Sequence, residues 1–179
     1  LTYATAFGKK AYITKITVQL MRDLGSIPSP HNAFLLNLGL ETLHLRVPRH
    51  CENAQKVAEY LEKNDKVAWV NYSGLPSSKY YALAQKQFTN GQSSGVVTFG
   101  LKGGREVATR FMDNLKLCCI VTHVADIRTC VLHPASHTHR QLSDEQLVAA
   151  GVRPDLIRFS VGIENINDII DDIEQALNA

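Results

Sequence analysis

Arg158 lies within Leu156-Ile157-Arg158-Phe159-Ser160-Val161-Gly162-Ile163-Glu164, a run in which apolar and polar residues alternate. Successive side chains of a strand point to opposite faces, so Ile157, Phe159 and Val161 share one face and Arg158 and Ser160 the other. A guanidinium fixed on a strand just ahead of a glycine can hold a carboxylate with two parallel hydrogen bonds. On pattern alone, an arginine on the solvent face of an edge strand is the commoner case. Three imidazoles, His133, His137 and His139, are enough for zinc. Pro134, however, breaks the helix that an i, i+4 pair needs, and no cysteine or carboxylate stands at a ligand spacing beside them, so no metal is expected. Lys15 has the side chain of a Schiff-base residue but follows Lys9 and Lys10 on what reads as a helix surface. A Schiff-base lysine needs a desolvated pocket poor in cations. Lys15 is therefore expected to be an exposed helical lysine.

The elements that must position Arg158 follow from the periodicity. Ile13, Ile16, Leu20 and Leu24 stand at helical spacing, and Gly25 through Pro30 ends that helix. A long helical stretch runs from about His31 to Lys63, with a kink or break expected at Pro48, which cannot bond back to His44. Val67 to Tyr72 reads as a strand, Ser78 to Phe88 as a helix and Gly95 to Leu101 as a second strand. A helix from about Arg105 to Leu115 leads to strands near Leu117 to Val121 and Thr129 to Leu132. Ser143 caps a short helix, with Gln146 in the capping-box position. After the strand bearing Arg158, the last helix carries Ile166, Ile169, Ile170, Ile173 and Leu177 on one face. Helices first, then strands alternating with helices, give a two-layer α+β sandwich.

Composition admits one modest domain. The chain has 179 residues, 45% of them hydrophobic, which supplies a core without disulfides. A net charge of +2 argues against a nucleic-acid surface. No stretch approaches the roughly 18 apolar residues of a membrane span. Cys51, Cys118, Cys119 and Cys130 show no paired metal spacing and read as reduced thiols of a cytoplasmic protein.

Four segments carry a family resemblance: Gly39-Leu40-Glu41-Thr42-Leu43-His44-Leu45-Arg46, Thr98-Phe99-Gly100-Leu101-Lys102-Gly103-Gly104, His133-Pro134-Ala135-Ser136-His137-Thr138-His139-Arg140-Gln141-Leu142, and Arg158 through Glu164. In this order they resemble the C-terminal part of the Cys/Met-metabolism, or transsulfuration, enzymes that use pyridoxal phosphate. The resemblance implies the small C-terminal domain of a fold-type I enzyme (residues 64–179), preceded by long helices (residues 1–63) that lead from a larger N-terminal domain. That domain would carry the cofactor lysine upstream of Leu1, so a fragment of this extent is expected to be inactive and to bind no pyridoxal phosphate itself. The implied reaction replaces the acetoxy group of O-acetylhomoserine by sulfide, in a homo-oligomer whose ligands are the amino-acid substrate and sulfide. A γ-lyase or cystathionine γ-synthase of the same family, or a non-catalytic binding module, remains open.

The resemblance also assigns residues. Arg158 would hold the substrate's α-carboxylate. Where family members often place Ser or Asn, an apolar residue, Gly and Asp, this chain has His123-Val124-Ala125-Asp126. His123 thus falls at a second carboxylate-binding position, with a larger side chain that would attract an anion more strongly if protonated. A histidine facing solvent from a loop is the alternative there. His139 or Ser136 would steady the neighbouring loop by hydrogen bonds.

Overall fold

The strand bearing Arg158 is the centre of a five-stranded sheet in a computed structural model, which describes residues 2–179. The strands are β1 (Val67–Asn71), β2 (Val96–Leu101), β3 (Cys119–Ile120), β4 (Cys130–Leu132) and β5 (Leu156–Ser160), in the order β1-β2-β5-β4-β3. All neighbours are antiparallel except β3 and β4, which run parallel. Arg158 is registered with Thr98 on β2 and with Leu132 on β4. It therefore stands on a central strand, and the edge-strand alternative does not apply.

Alternation does what the pleat demands: Ile157, Phe159 and Val161 are fully buried. They join one core with residues of the helices α5 (Leu43–Lys63), α7 (Gly104–Asp113) and α9 (Ile166–Leu177). Phe99, Phe111 and Phe159 meet there, Phe99 against Phe159 edge-on with ring centroids 5.3 Å apart. In α5 the spacing of His50, Ala54, Val57, Ala58 and Leu61 buries one stripe. In α9, Ile169, Ile173 and Ala176 do the same. The remaining helices of this part are α6 (Tyr81–Gln87) and α8 (Asp144–Ala149). Ser143 and Gln146 form the expected capping box at the start of α8.

Two compact units divide the chain, one ending at Leu43 and the other running from His44 to Ala179. A boundary after Lys63, with α5 among the connecting helices, is what the sequence leads one to expect; the buried stripe of α5 instead belongs to the core of the second unit. Pro48 does not break the helix. The interruption lies at Thr42, between α4 (Pro30–Glu41) and α5, and α5 continues through Pro48 near its N-terminal end. Only the bond to His44 is forgone there. The first unit is helical from Thr2 to Leu24: α1 (Thr2–Phe7), a 3₁₀ turn, α2 (Ala11–Lys15), a π-helical stretch at Ile16–Met21, and α3 (Arg22–Leu24). Gly25, at φ 66°, ends it in the left-handed conformation that glycine tolerates. No residue of α1 to α4 is buried, and no helix among the described residues is long and apolar enough to cross a membrane.

Candidate functional site

On the face of β5 opposite the core, Arg158 and Ser160 hold one loop between them. Nη2 of Arg158 donates to the carbonyl oxygen of Thr122 at 2.8 Å and to that of His123 at 3.4 Å. Two residues on, Ser160 Oγ accepts the Ala125 backbone N–H at 2.9 Å. The period of two puts both on one side of the strand, and together they fix the loop against the sheet. Nε of Arg158 is buried with no hydrogen-bond partner, and Nη1 makes none among the described residues. Buried polar groups are nearly always paired, so an orphaned guanidinium N–H is not explained by folding alone.

The loop presents His123 outward, with a side chain 61% exposed and Nδ1 3.6 Å from Asp126 Oδ2. Asp126 is held by Arg128, whose Nε and Nη2 donate to its two oxygens at 3.2 and 3.1 Å. The Arg128 backbone N–H adds a third bond. Those hydrogen bonds keep the Asp126 carboxyl well below the usual carboxylate range. Ala125 has φ 61°, in the left-handed region. Position 125 is where the resembled family often has glycine, and the backbone gives the reason. Beside the loop lies an apolar cleft of about 170 Å³ bordered by Val47, His50, Gly95, Val124, Ser160 and Val161. A larger cavity of about 370 Å³, near Glu52, Lys56, Tyr72 and Gln85, is lined by none of these loop residues.

Glycine 162 and Glu164 complete the motif. Glu164 accepts the Thr129 backbone N–H at 2.6 Å and the Thr129 hydroxyl at 3.0 Å. The same hydroxyl oxygen accepts the Gly162 N–H at 3.0 Å. A Cβ at position 162 would run into Glu164, Ile127 and Thr129, so only glycine fits this close approach. Asn53 of α5 donates to the carbonyls of Gly162 and Glu164, both at 3.0 Å. Arg158-Phe159-Ser160-Val161-Gly162-Ile163-Glu164 is thus one device that ties the loop, the strand and α5 together.

The three histidines of the sequence do not converge on a point. His133 is buried, donates Nε2–H to the Pro154 carbonyl at 2.9 Å and accepts the Ser136 hydroxyl on Nδ1 at 2.8 Å. Burial pushes its pKa down. His137 donates to the His133 carbonyl at 3.0 Å, and His139 pairs with Thr138 at 2.9 Å. Ser136 does steady this loop, through His133. Every lysine, Lys15 included, is exposed, so the described residues offer no desolvated amine for a cofactor aldehyde. The sequence reading missed one grouping: His123, Asp126 and Cys130 bring ligand-type atoms within 4.8 Å of one another. Its signal in the sequence is the spacing His-x₂-Asp-x₃-Cys, which no regular helix or strand pattern marks as a site.

The fold, a mixed sheet backed by helices, is shared with solved enzymes. An O-acetylhomoserine (thiol)-lyase from Campylobacter jejuni, solved with N'-pyridoxyl-lysine-5'-monophosphate, superposes with a TM-score of 0.87 at 38% identity, over 98% of this chain and 41% of that one. Yeast cystathionine gamma-lyase gives 0.87 at 37% identity, over 95% and 43%. The chain belongs to the Cys/Met metabolism PLP-dependent enzyme family, whose model matches residues 4–178. Curated relatives include O-acetyl-L-homoserine sulfhydrylase of Leptospira meyeri, 47% identical over 93% of this chain and 38% of that protein. L-methionine gamma-lyase of Porphyromonas gingivalis is 40% identical over 96% and 43%. The chain spans about two fifths of the length of these relatives.

Proposed function

We propose that the chain is the C-terminal part of an enzyme that converts O-acetylhomoserine and sulfide to homocysteine and acetate, and that its share of the work is to anchor the substrate. Bound in the whole protein, pyridoxal phosphate would supply an electron sink for charge developing on the substrate's carbons. The residues of this chain would bind and orient. Arg158 offers its guanidinium edge to the α-carboxylate, and a full negative charge is a stronger acceptor than the two loop carbonyls it now contacts. His123, exposed at the rim, reaches the same carboxylate as a second donor. Fixing the carboxylate fixes the direction of the α-proton, the positional contribution that speeds such reactions most cheaply. The observation that carries this reading is the buried, unpartnered Nε of Arg158 on a central strand. The sulfhydrylase relatives support the choice of reaction.

The whole protein is proposed to work as a cytoplasmic homo-oligomer, in keeping with four free thiols and with the exposed apolar helices of the first unit. A γ-lyase stands as the second reading, supported by the methionine gamma-lyase relative and by the unusual His123. Product analysis separates the two. Supplied with O-acetylhomoserine and sulfide, the whole protein should release homocysteine and acetate in equal amounts. Release of a 2-oxo acid and ammonia instead would select the lyase.

A further inference from the structure

His123, Asp126 and Cys130 combine three ligand types that zinc accepts, an imidazole nitrogen, a carboxylate oxygen and a thiolate sulfur. Their ligand atoms all lie within 4.8 Å of one another, and His123 Nδ1 is 3.6 Å from Asp126 Oδ2. Zinc bonds of 2.0–2.3 Å in a tetrahedron need ligand atoms about 3.3–3.8 Å apart, so the His–Asp pair already has the required spacing. Closing the rest takes a movement of about 1 Å, in a segment whose His123 end is exposed. Cys130 is buried, Asp126 half-buried and His123 exposed, so the group runs from the core to solvent and leaves the outermost coordination position to water. Arg128 has the place of an outer-shell partner. Its hydrogen bonds orient the Asp126 carboxylate, which keeps further lone pairs for a cation. We propose that His123, Asp126 and Cys130 form a binding site for one zinc ion, with water as the fourth ligand and the Cys130 proton released on binding.

The test uses the purified protein and zinc alone. Equilibrium dialysis with atomic absorption should find one zinc per chain. Co²⁺ in its place should show the d–d bands of a tetrahedral site together with near-ultraviolet charge transfer from a thiolate. Cys130→Ser and His123→Ala should each weaken binding on the order of 10-fold or more, and Cys130→Ser should remove the charge-transfer band. Cys119→Ser should change neither. His123 is exposed, so its replacement leaves the core alone and gives a readable result even if Cys130→Ser fails to fold. Absence of bound zinc, or unchanged affinity in His123→Ala, would overturn the site. The site shares His123 with the proposed carboxylate anchor, but the readout needs no substrate, so either assignment can fail without the other.

Discussion

Arg158 and Thr122 are joined by a 2.8 Å hydrogen bond from a strand side chain to a loop carbonyl. Neither residue is close to the other in sequence, and the contact exists because β5 is central and the loop folds over its open face. Ser160 repeats the same service for Ala125 two residues later. The alternation that buries Ile157, Phe159 and Val161 therefore also lines up the two residues that position His123.

Strain at Ala125 gives the first expected outcome. A non-glycine residue at φ 61° costs roughly 1–2 kcal/mol through crowding at Cβ. The Ala125 N–H is held by Ser160, so the loop cannot relax away from that conformation without losing a bond. Ala125→Gly should raise the stability of the protein by about 0.5–1 kcal/mol, net of the freedom glycine adds to the unfolded chain. Thermal and urea denaturation would read this. A loss of stability would show that position 125 is not strained.

Acid sensitivity should trace to Asp172. Its carboxylate, on α9 and 5% exposed, accepts the backbone N–H groups of Lys116, Leu117 and Cys118 at 2.8–3.0 Å. Burial pushes its pKa up, but those backbone bonds outweigh burial and leave it lowered. A carboxylate lowered by folding contributes stability above its unfolded value and loses it as pH falls through the folded one, so the loss begins below about pH 4. Asp172→Asn should cost roughly 2–3 kcal/mol at neutral pH by leaving buried donors poorly paired. It should also flatten the fall in stability as pH drops below about 4. An Asn variant with wild-type acid dependence would locate the acid-sensitive group elsewhere.

Self-association is expected from the first unit. Ile13, Leu24, Ile27, Phe34, Leu36 and Leu40 are each more than half exposed. Apolar patches of several hundred Å² generally mark surfaces that are covered by a partner. Sedimentation velocity of this chain should show a concentration-dependent shift to species larger than the monomer. Replacing Leu24, Ile27 and Leu36 together by serine should reduce it. A chain monomeric at all concentrations would mean that these helices need no cover.

Much of this was legible in residue order because the relevant physics is local. Alternation gave β5, the Ser143–Gln146 box gave the start of α8, and Gly25 ended the first helices. Pro48 misled because a proline's cost depends on where it falls in a helix, and here only one bond near the end is lost. The boundary after Lys63 failed to match the compact units because amphipathic spacing in α5 shows that one face is buried without showing which unit buries it. Arg158 itself was legible as a residue on the open face of a strand. Its contacts with Thr122 and His123 were not, since they join segments more than 30 residues apart. Cys130 and His123 are only seven residues apart, and their nearness depends on the turn that leads from the loop into β4, which the residue types alone do not fix.

The carboxylate anchor is tested most directly by steady-state kinetics of Arg158→Lys in the whole protein at matched cofactor occupancy. Lysine keeps the charge but not the planar fork, and losing one charge-assisted hydrogen bond costs about 1.5–3 kcal/mol, roughly a 10- to 150-fold fall in rate. That loss should appear in kcat/KM for the amino-acid substrate, with cofactor absorbance and thermal stability close to wild type. His123→Asn, nearer to the family pattern at that position, should fall by far less. An Arg158→Lys enzyme with wild-type kcat/KM would contradict the anchor and leave Arg158 as no more than the pin that holds the loop of Thr122 and His123.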